Sequence, residues 1–411
     1  SGIAEEQRAH FAIGRIREAA RQYNAAASEY RKAARGPDVR LAHESGWRAA
    51  WVSYLAGNYE GAAWAFGKAA VAAAGDHRLD GGHEAALYWR ARSLEKAGKK
   101  EKALTYYRSV LSESPDGYYA MLAERRTGLE APPPVLEALD DPVPADPGLR
   151  RALLRARELN RARLREFARR EMAATVAAAA PAERRALLPE LAALGLHGLA
   201  LRAALELYRA GILKEGELYS FLYPEAHRKA VGRIARQHGL DPYFVYAVMR
   251  QESAFDERAV SSAEAHGLMQ LLEPTARRLA QTLGMDAPER TDLFVPELNI
   301  RLGVAYLAEL ARRFGNDKIL MLAAYNAGER AAQRWRDRYE THEPDEFIEM
   351  ISYRETRNYI KKVLRNYRNY RRLYCGNRTS SCESGQEPAG QVAEGTVGHA
   401  HDDVPAPQLS R

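Results

Sequence analysis

An internal repeat restricts the fold more than any other feature of this chain. The string YNAAASEYRKAA at 23–34 returns as YEGAAWAFGKAA at 59–70, 36 residues later, and KEKALTYYRSV at 100–110 carries the same step from alanine to aromatic. Ala26 with Tyr30, Ala62 with Phe66 and Ala103 with Tyr107 hold equivalent places. A four-residue step puts both side chains on one helix face. A period of this length is that of paired helices that stack on their neighbours, the alanine letting the next helix approach and the aromatic filling the groove. Gly57 and Gly98 each stand nine residues before their aromatic, where a turn between paired helices favours a residue free to take positive φ. Residues 1–130 therefore read as a tetratricopeptide-like helical-repeat domain with no convincing strand. Trp47, Trp51, Trp64 and Trp89 are expected in its core, where aromatics dominate burial.

Six of the 19 prolines fall in residues 131–148, which read as an ordered or semi-rigid linker because each proline blocks helix continuation. Helical patterns resume over 149–224, with arginine runs forming a solvated face around Leu and Ala seams. A further unit of about 150 residues spans 225–374, a size compatible with independent folding. From Cys375 onward Gly, Ser, Pro and polar residues prevail, which predicts a disordered tail over 375–411. The string His399, His401, Asp402 and Asp403 in that tail has no preformed geometry to hold a metal, and no metal or other cofactor is expected. Cys375 and Cys382 are too sparse a signal to fix a bond or a redox compartment.

Within 225–374 the stretch 241–275 carries the chemistry. Asp241 followed by Pro242 is a helix start, the carboxylate accepting an orphan N–H and proline occupying the first helical position. Val245, Val248 and Met249 then mark a buried face, and Glu252 lies one turn beyond Val248 on it. An acid at a helix C-terminus among apolar neighbours has its ionised form disfavoured twice, by the helix dipole and by burial. Such a carboxyl stays protonated near neutral pH, as general-acid cleavage of a glycosidic bond requires. On composition alone, a surface acid at a fraying helix end is the better reading of Glu252.

The strings RQES (250–253), Ser261 and GLMQ (267–270), followed by NIRLGVAYL (299–307), AAYNAG (323–328) and YRETRNYIKKVLRNY (353–367), resemble in order the motifs of soluble lytic transglycosylases. The resemblance covers residues 225–374 and implies an all-α protein, a helical-repeat superhelix followed by a lysozyme-like catalytic domain. It implies that Glu252 acts first as acid and then as base in cutting the bond between N-acetylmuramic acid and N-acetylglucosamine of peptidoglycan, giving a 1,6-anhydro product without water. It also implies substrate contacts from Ser261, Met269, Gln270, Tyr325, Asn326 and Glu355. Without the resemblance Met269 reads as core and Ser261 as a surface turn. Two departures bear on the loop beside the acid: Glu264 stands where the family has Gly, and Ser262 where Pro is common.

Two other functions stay open, a muramidase of the same fold that uses water and a helical-repeat scaffold that binds glycan without cutting it. The net charge of +7 favours polyanionic partners, among them peptidoglycan with its peptide carboxylates. Arg357, Lys361, Lys362, Arg365, Arg368, Arg371 and Arg372 alternate with Tyr359, Tyr367, Tyr370 and Tyr374. No nucleic-acid motif accompanies them, so nucleic acid is not an expected partner and a solvated helix face accounts for the run. Nothing in the chain is long and apolar enough to span a membrane. The resemblance places the protein in the periplasm, and a start at Ser1 fits a chain from which a signal peptide has been removed.

Overall fold

The computed structural model describes residues 2–73 and 82–375, apart from 133, 138, 140–143 and 145. The anticipated tail, with Cys382 and the His399–Asp403 string, lies outside the described residues. Twenty α-helices make up nearly all the described secondary structure. The repeats are α1 (Gly2–Ala19), α2 (Tyr23–Ala33), α3 (Val39–Leu55), α4 (Tyr59–Ala73), α5 (His83–Lys96), α6 (Lys100–Glu113) and α7 (Tyr118–Thr127), each packed on the next. The alanine and aromatic of every repeat are buried, Ala26, Tyr30, Ala62 and Phe66 completely. Gly57 and Gly98 take φ of 79° and 78°, and the equivalent place in the first repeat is held by Arg21 at φ 58°. The turn geometry is thus shared even where its glycine is not.

One tryptophan departs from expectation. Trp51 and Trp89 are buried with ring centroids 4.8 Å apart, and Trp47 stacks on Trp51. Trp64 is 63% exposed, with the Lys68 ammonium 4.0 Å from its ring. It lies two residues from both Ala62 and Phe66, about 200° around the helix from the face they bury.

The proline-rich segment is tied down where it is described. Glu137 donates its N–H to Gly216 O at 3.1 Å, and Ala131 O accepts from Arg372 at 3.1 Å. Asp146 then caps the next helix through Leu149 N at 2.8 Å. The second group comprises α8 (Pro147–Arg161), α9 (Arg165–Ala178), α10 (Pro181–Ala193), α11 (His197–Arg209) and α12 (Glu215–Leu222), with a core of its own around Met172, Leu187, Leu188 and Leu191. There follow α13 (Arg228–Gln237), α14 (Pro242–Ser253), a two-stranded antiparallel pair β1 (Ala265–His266) and β2 (Leu271–Leu272), α15 (Glu273–Thr282), a 3₁₀ turn at Arg290–Phe294, α16 (Pro296–Arg313), α17 (Lys318–Ala327), α18 (Glu329–Tyr339), α19 (Pro344–Met350) and α20 (Arg354–Tyr374).

The repeats and this last group share one continuous apolar cluster, running from Ala26 to Tyr370. The composition shifts near 130 and 225 therefore mark changes of sequence character within a common core. The seam is polar as well as apolar. Arg92, 1% exposed on α5, donates to Asp345 at 2.9 Å and to Glu343 at 2.9 Å. Tyr88 donates to Asp345 at 2.6 Å, Tyr54 to Glu346 at 2.7 Å and Tyr119 to Glu349 at 2.7 Å.

The basic run on α20 is a correction to the solvated face predicted for it. Lys361 bonds Glu349 at 2.7 Å and Tyr119 at 2.8 Å, Arg368 bonds Glu124 at 2.8 Å, and Arg372 bonds Asp116 at 3.1 Å. Tyr359 and Tyr370 are buried. One flank of α20 is wedged against the repeats, and the other lies along α14 and α17.

Candidate active site

Glu252 sits on the last turn of α14. Asp241 caps the helix through Tyr243 N at 2.8 Å, and Val245, Val248 and Met249 are fully buried. At the far end Ala254 and Phe255 take φ of 48° and 64°. Two successive non-glycine residues in the left-handed region cost roughly 1–2 kcal/mol each. What holds them is visible: Ser253 Oγ donates to Leu268 O at 2.8 Å and accepts from Phe255 N at 3.1 Å. From outside, α11 presses on the turn at Gly198, where a Cβ would come within 3.0 Å of Ala254 O, Phe255 C and Asp256 N. Arg202 pairs with Asp256 at 2.9 Å and Arg165 with Glu257 at 3.0 Å. The second helical group thus buttresses the end of the helix that carries the acid.

Glu252 is half-buried as a residue, and its carboxylate accepts a hydrogen bond from the Tyr359 hydroxyl at 2.5 Å. Burial pushes its pKa up to about 7, the Tyr359 bond pulls it down, and the negative charge of Glu355 raises it further. Glu355 itself is exposed on the first turn of α20, one turn before Tyr359. Tyr325, on α17, is part-buried; its hydroxyl donates to Met269 O at 2.7 Å, and burial and then Glu252 hold it well above the usual phenol range. Asn326 beside it accepts from Thr356 Oγ1 at 2.7 Å, which ties α17 to α20.

The loop between α14 and α15 treats the remaining predicted residues differently. Ser261 is engaged in its own turn, its hydroxyl accepting from Ala265 N at 3.0 Å and its N–H donating to Ala265 O at 3.0 Å. Gln270, at φ 46°, donates its amide to Ala259 O and Gly267 O, each at 3.0 Å, which leaves its carbonyl oxygen as the group with capacity to spare. Met269 has no exposed surface and packs on Gly303, where a Cβ would lie 2.3 Å from its sulfur. The expected groove-lining side chain is therefore core, and Met269 bonds Tyr325 through its backbone carbonyl. At Gly267, φ is 76° and a Cβ would stand 2.3 Å from Leu293 O, so both conformation and space call for glycine. Glu264 adopts φ 58°, a region that glycine enters without strain. Its carboxylate pairs with Arg290 at 3.1 Å.

Two residues central to this arrangement were not singled out by the sequence. Tyr359 was assigned to a solvated face. Asn299 is fully buried and satisfies the loop from beneath, accepting from Met269 N at 2.8 Å and donating to His266 O at 2.9 Å and Leu293 O at 2.8 Å. Its signal was an amide on an otherwise apolar helix face, which in a core must bond something. Among the described residues no cluster of His, Cys, Asp and Glu could hold a metal ion.

Comparison with known proteins follows the same lines. The profile of the Transglycosylase SLT domain matches residues 229–348. A Haemophilus influenzae protein provisionally named a soluble lytic murein transglycosylase is 37% identical over 154 residues, covering 37% of this chain and 26% of its own. The soluble lytic murein transglycosylase of Escherichia coli K12 is 29% identical over 300 residues, 71% of this chain and 44% of its own. The chain thus spans less than half the length of these curated relatives. Among solved structures, an inactive glutamate-to-glutamine mutant of the lytic transglycosylase Slt from Pseudomonas aeruginosa superposes with a TM-score of 0.68 at 25% identity, over 91% of this chain and 58% of that one. The profile, which spans Glu252, places residues 229–348 in the Transglycosylase SLT domain family, and the fold of repeats and lysozyme-like unit alike is similar to that of a soluble lytic transglycosylase.

Proposed function

We propose that the chain is a peptidoglycan lytic transglycosylase, acting in the periplasm on the β-1,4 bond between N-acetylmuramic acid and N-acetylglucosamine, with Glu252 as its acid and base. The observation that carries this reading is a half-buried glutamate whose carboxyl pKa is raised to about 7 by burial, with the charge of Glu355 raising it further and the Tyr359 phenol bonded to it. Protonated Glu252 delivers its proton to the bridging oxygen as the bond from C1 breaks. The carboxylate left behind then takes the proton of the muramic acid C6 hydroxyl as that oxygen bonds C1. Glu252 ends protonated as it began, and no water is consumed.

Tyr325 and Tyr359 present phenols beside the acid, where they stabilise charge and fix the orientation of the carboxyl. Asn326, Gln270, Ser261 and Glu355 are the candidates for contacts with sugar hydroxyls and acetamido groups. Muropeptides released from sacculi by the purified chain should carry 1,6-anhydro ends by mass spectrometry. Reducing muramic acid ends would replace this reading with a hydrolytic one, and intact glycan would leave a binding scaffold.

The pH dependence has a defined sign. Below about 7 Glu252 is protonated and can donate; as pH rises through that value the acid form is lost, so turnover should fall on the alkaline side. Tyr359→Phe removes the hydrogen bond that favours the carboxylate, so the alkaline limb should move to higher pH. A pH–rate profile of the variant that keeps or lowers the limb would reject this role for Tyr359.

A further inference from the structure

Where α1 and α3 meet α18 and the start of α20 lies a cavity of about 140 Å³ that the mechanism above leaves unused. Five arginines line it, Arg15, Arg21, Arg48, Arg338 and Arg357, against two carboxylates, Glu18 and Glu349. Both carboxylates are committed to other groups as well. Glu18 accepts from Tyr30 at 2.5 Å and Arg48 at 3.1 Å, and Glu349 accepts from Lys361, Tyr119 and Trp89. Arg338 and Arg357 bond the backbone carbonyls Ala19 O at 3.0 Å and Ile351 O at 2.6 Å, which satisfies N–H groups without neutralising charge. Arg48 is 8% exposed, and its Nε has no hydrogen-bond partner among the described residues, Glu44 lying at 3.6 Å. Arg15 and Arg21 are exposed and form no ion pair among the described residues. Burial pushes the Arg357 guanidinium down; Glu349 opposes this, and Arg48 and Arg15 add to it. The walls carry a surplus of positive charge.

Guanidinium forks match carboxylate geometry, and the cavity is small beside the roughly 300–1,000 Å³ of pockets for larger organic ligands. It suits the carboxylate end of a short branch, not a sugar ring. Its position is informative. Arg357 stands two residues from both Glu355 and Tyr359, about 200° around α20, so the cavity and the Glu252 carboxyl flank one helix about 10–12 Å thick. The path between them passes the helix N-terminus, where Ser352, Tyr353 and Arg354 are exposed. Three or four extended residues, at about 3.3–3.6 Å each, cover that distance.

We propose that this cavity binds a carboxylate of the peptide branches carried by the glycan substrate while the strand lies at Glu252, an assignment that rests on the lytic transglycosylase reading above. The site makes the repeats part of substrate recognition, since Arg15, Arg21 and Arg48 come from α1, its following turn and α3.

The test uses the full chain and three glycan preparations: peptides intact, peptide carboxylates amidated, and peptides removed. The ratio of kcat/KM on intact over stripped strands should be about ten in the wild type, about 1.4 kcal/mol. Amidation should remove most of that advantage. The Arg15→Gln/Arg21→Gln double variant, at exposed positions and checked for folding by circular dichroism, should bring the ratio close to one through KM. A ratio of one in the wild type, a ratio unchanged in the variant, or an advantage that survives amidation would each overturn the site. If any of these three results is found while strands are still cut, the site falls and the catalytic reading stands; if neither intact nor stripped strands are cut, the catalytic reading itself has failed.

Discussion

Glu252→Gln is expected to lower turnover by at least about 10²–10⁴-fold, the range of general acid–base catalysis, with glycan binding retained. Glutamine keeps the size of the side chain and an oxygen to accept from Tyr359, so the 2.5 Å contact that orients the group need not be lost. What it lacks is a proton to deliver at the first step and a basic oxygen to receive one at the second. The substitution also removes a carboxyl whose ionised form is disfavoured by burial, so the folded state should be no less stable at neutral pH. Single-turnover kinetics on glycan strands, with binding measured in parallel, separates the two effects. Near-normal turnover would show that a different acid carries the reaction.

Arg92→Ala should destabilise the protein by about 3–5 kcal/mol, the cost of breaking a buried ion pair by removing one partner. Arg92 is 1% exposed and faces Asp345, itself 4% exposed, with Glu343 and Glu95 as further acceptors. Alanine leaves the Asp345 carboxylate inside the seam with the Tyr88 hydroxyl at 2.6 Å and the Glu346 N–H at 3.0 Å as its close neutral donors. Arg126, at 3.4 Å from Asp345 and bonded to Glu343, is placed to recover part of the loss. Urea unfolding followed by tryptophan fluorescence reads the effect directly, because Trp51 and Trp89 lie in the same shared core. A change below about 1 kcal/mol would mean that the seam is solvated and that repeats and lysozyme-like unit are held together by their apolar contacts alone.

Much of this was legible in the residues themselves. The repeat announced its helix pairs because a local rule, alanine then aromatic four residues on, recurs with a local turn, and both survive in the structure down to the φ of Gly57 and Gly98. The α14 start was equally local, with Asp241 capping as its position next to Pro242 indicated. Trp64 shows how a loose notion of helical spacing fails: counting the phase from Ala62 and Phe66 puts it on the far face. The basic run of α20 was misread for a different reason. The partners that bury Lys361 and Arg368 include Tyr119 and Glu124, more than two hundred residues earlier, and no local pattern reports a complementary charge that far away. At the site, the place of Glu252 at the end of the buried face of α14 was legible from phase, and its reading as the acid came from the resemblance, whereas the separate fates of Ser261, Met269 and Gln270 depend on how one loop folds back on Ala259, Ala265 and Asn299.

The seam between the repeats and α19–α20 also sets a timetable for biosynthesis. Tyr54 waits for Glu346 across 292 residues, Trp89 for Glu349 across 260, and Arg92 for Asp345 across 253. A ribosome adding about 5–20 residues per second leaves the repeats without these partners on the order of tens of seconds. During that interval Trp51, Tyr88 and Trp89 lack part of their cover, so the nascent chain offers a holding chaperone an aromatic surface that disappears once α20 arrives.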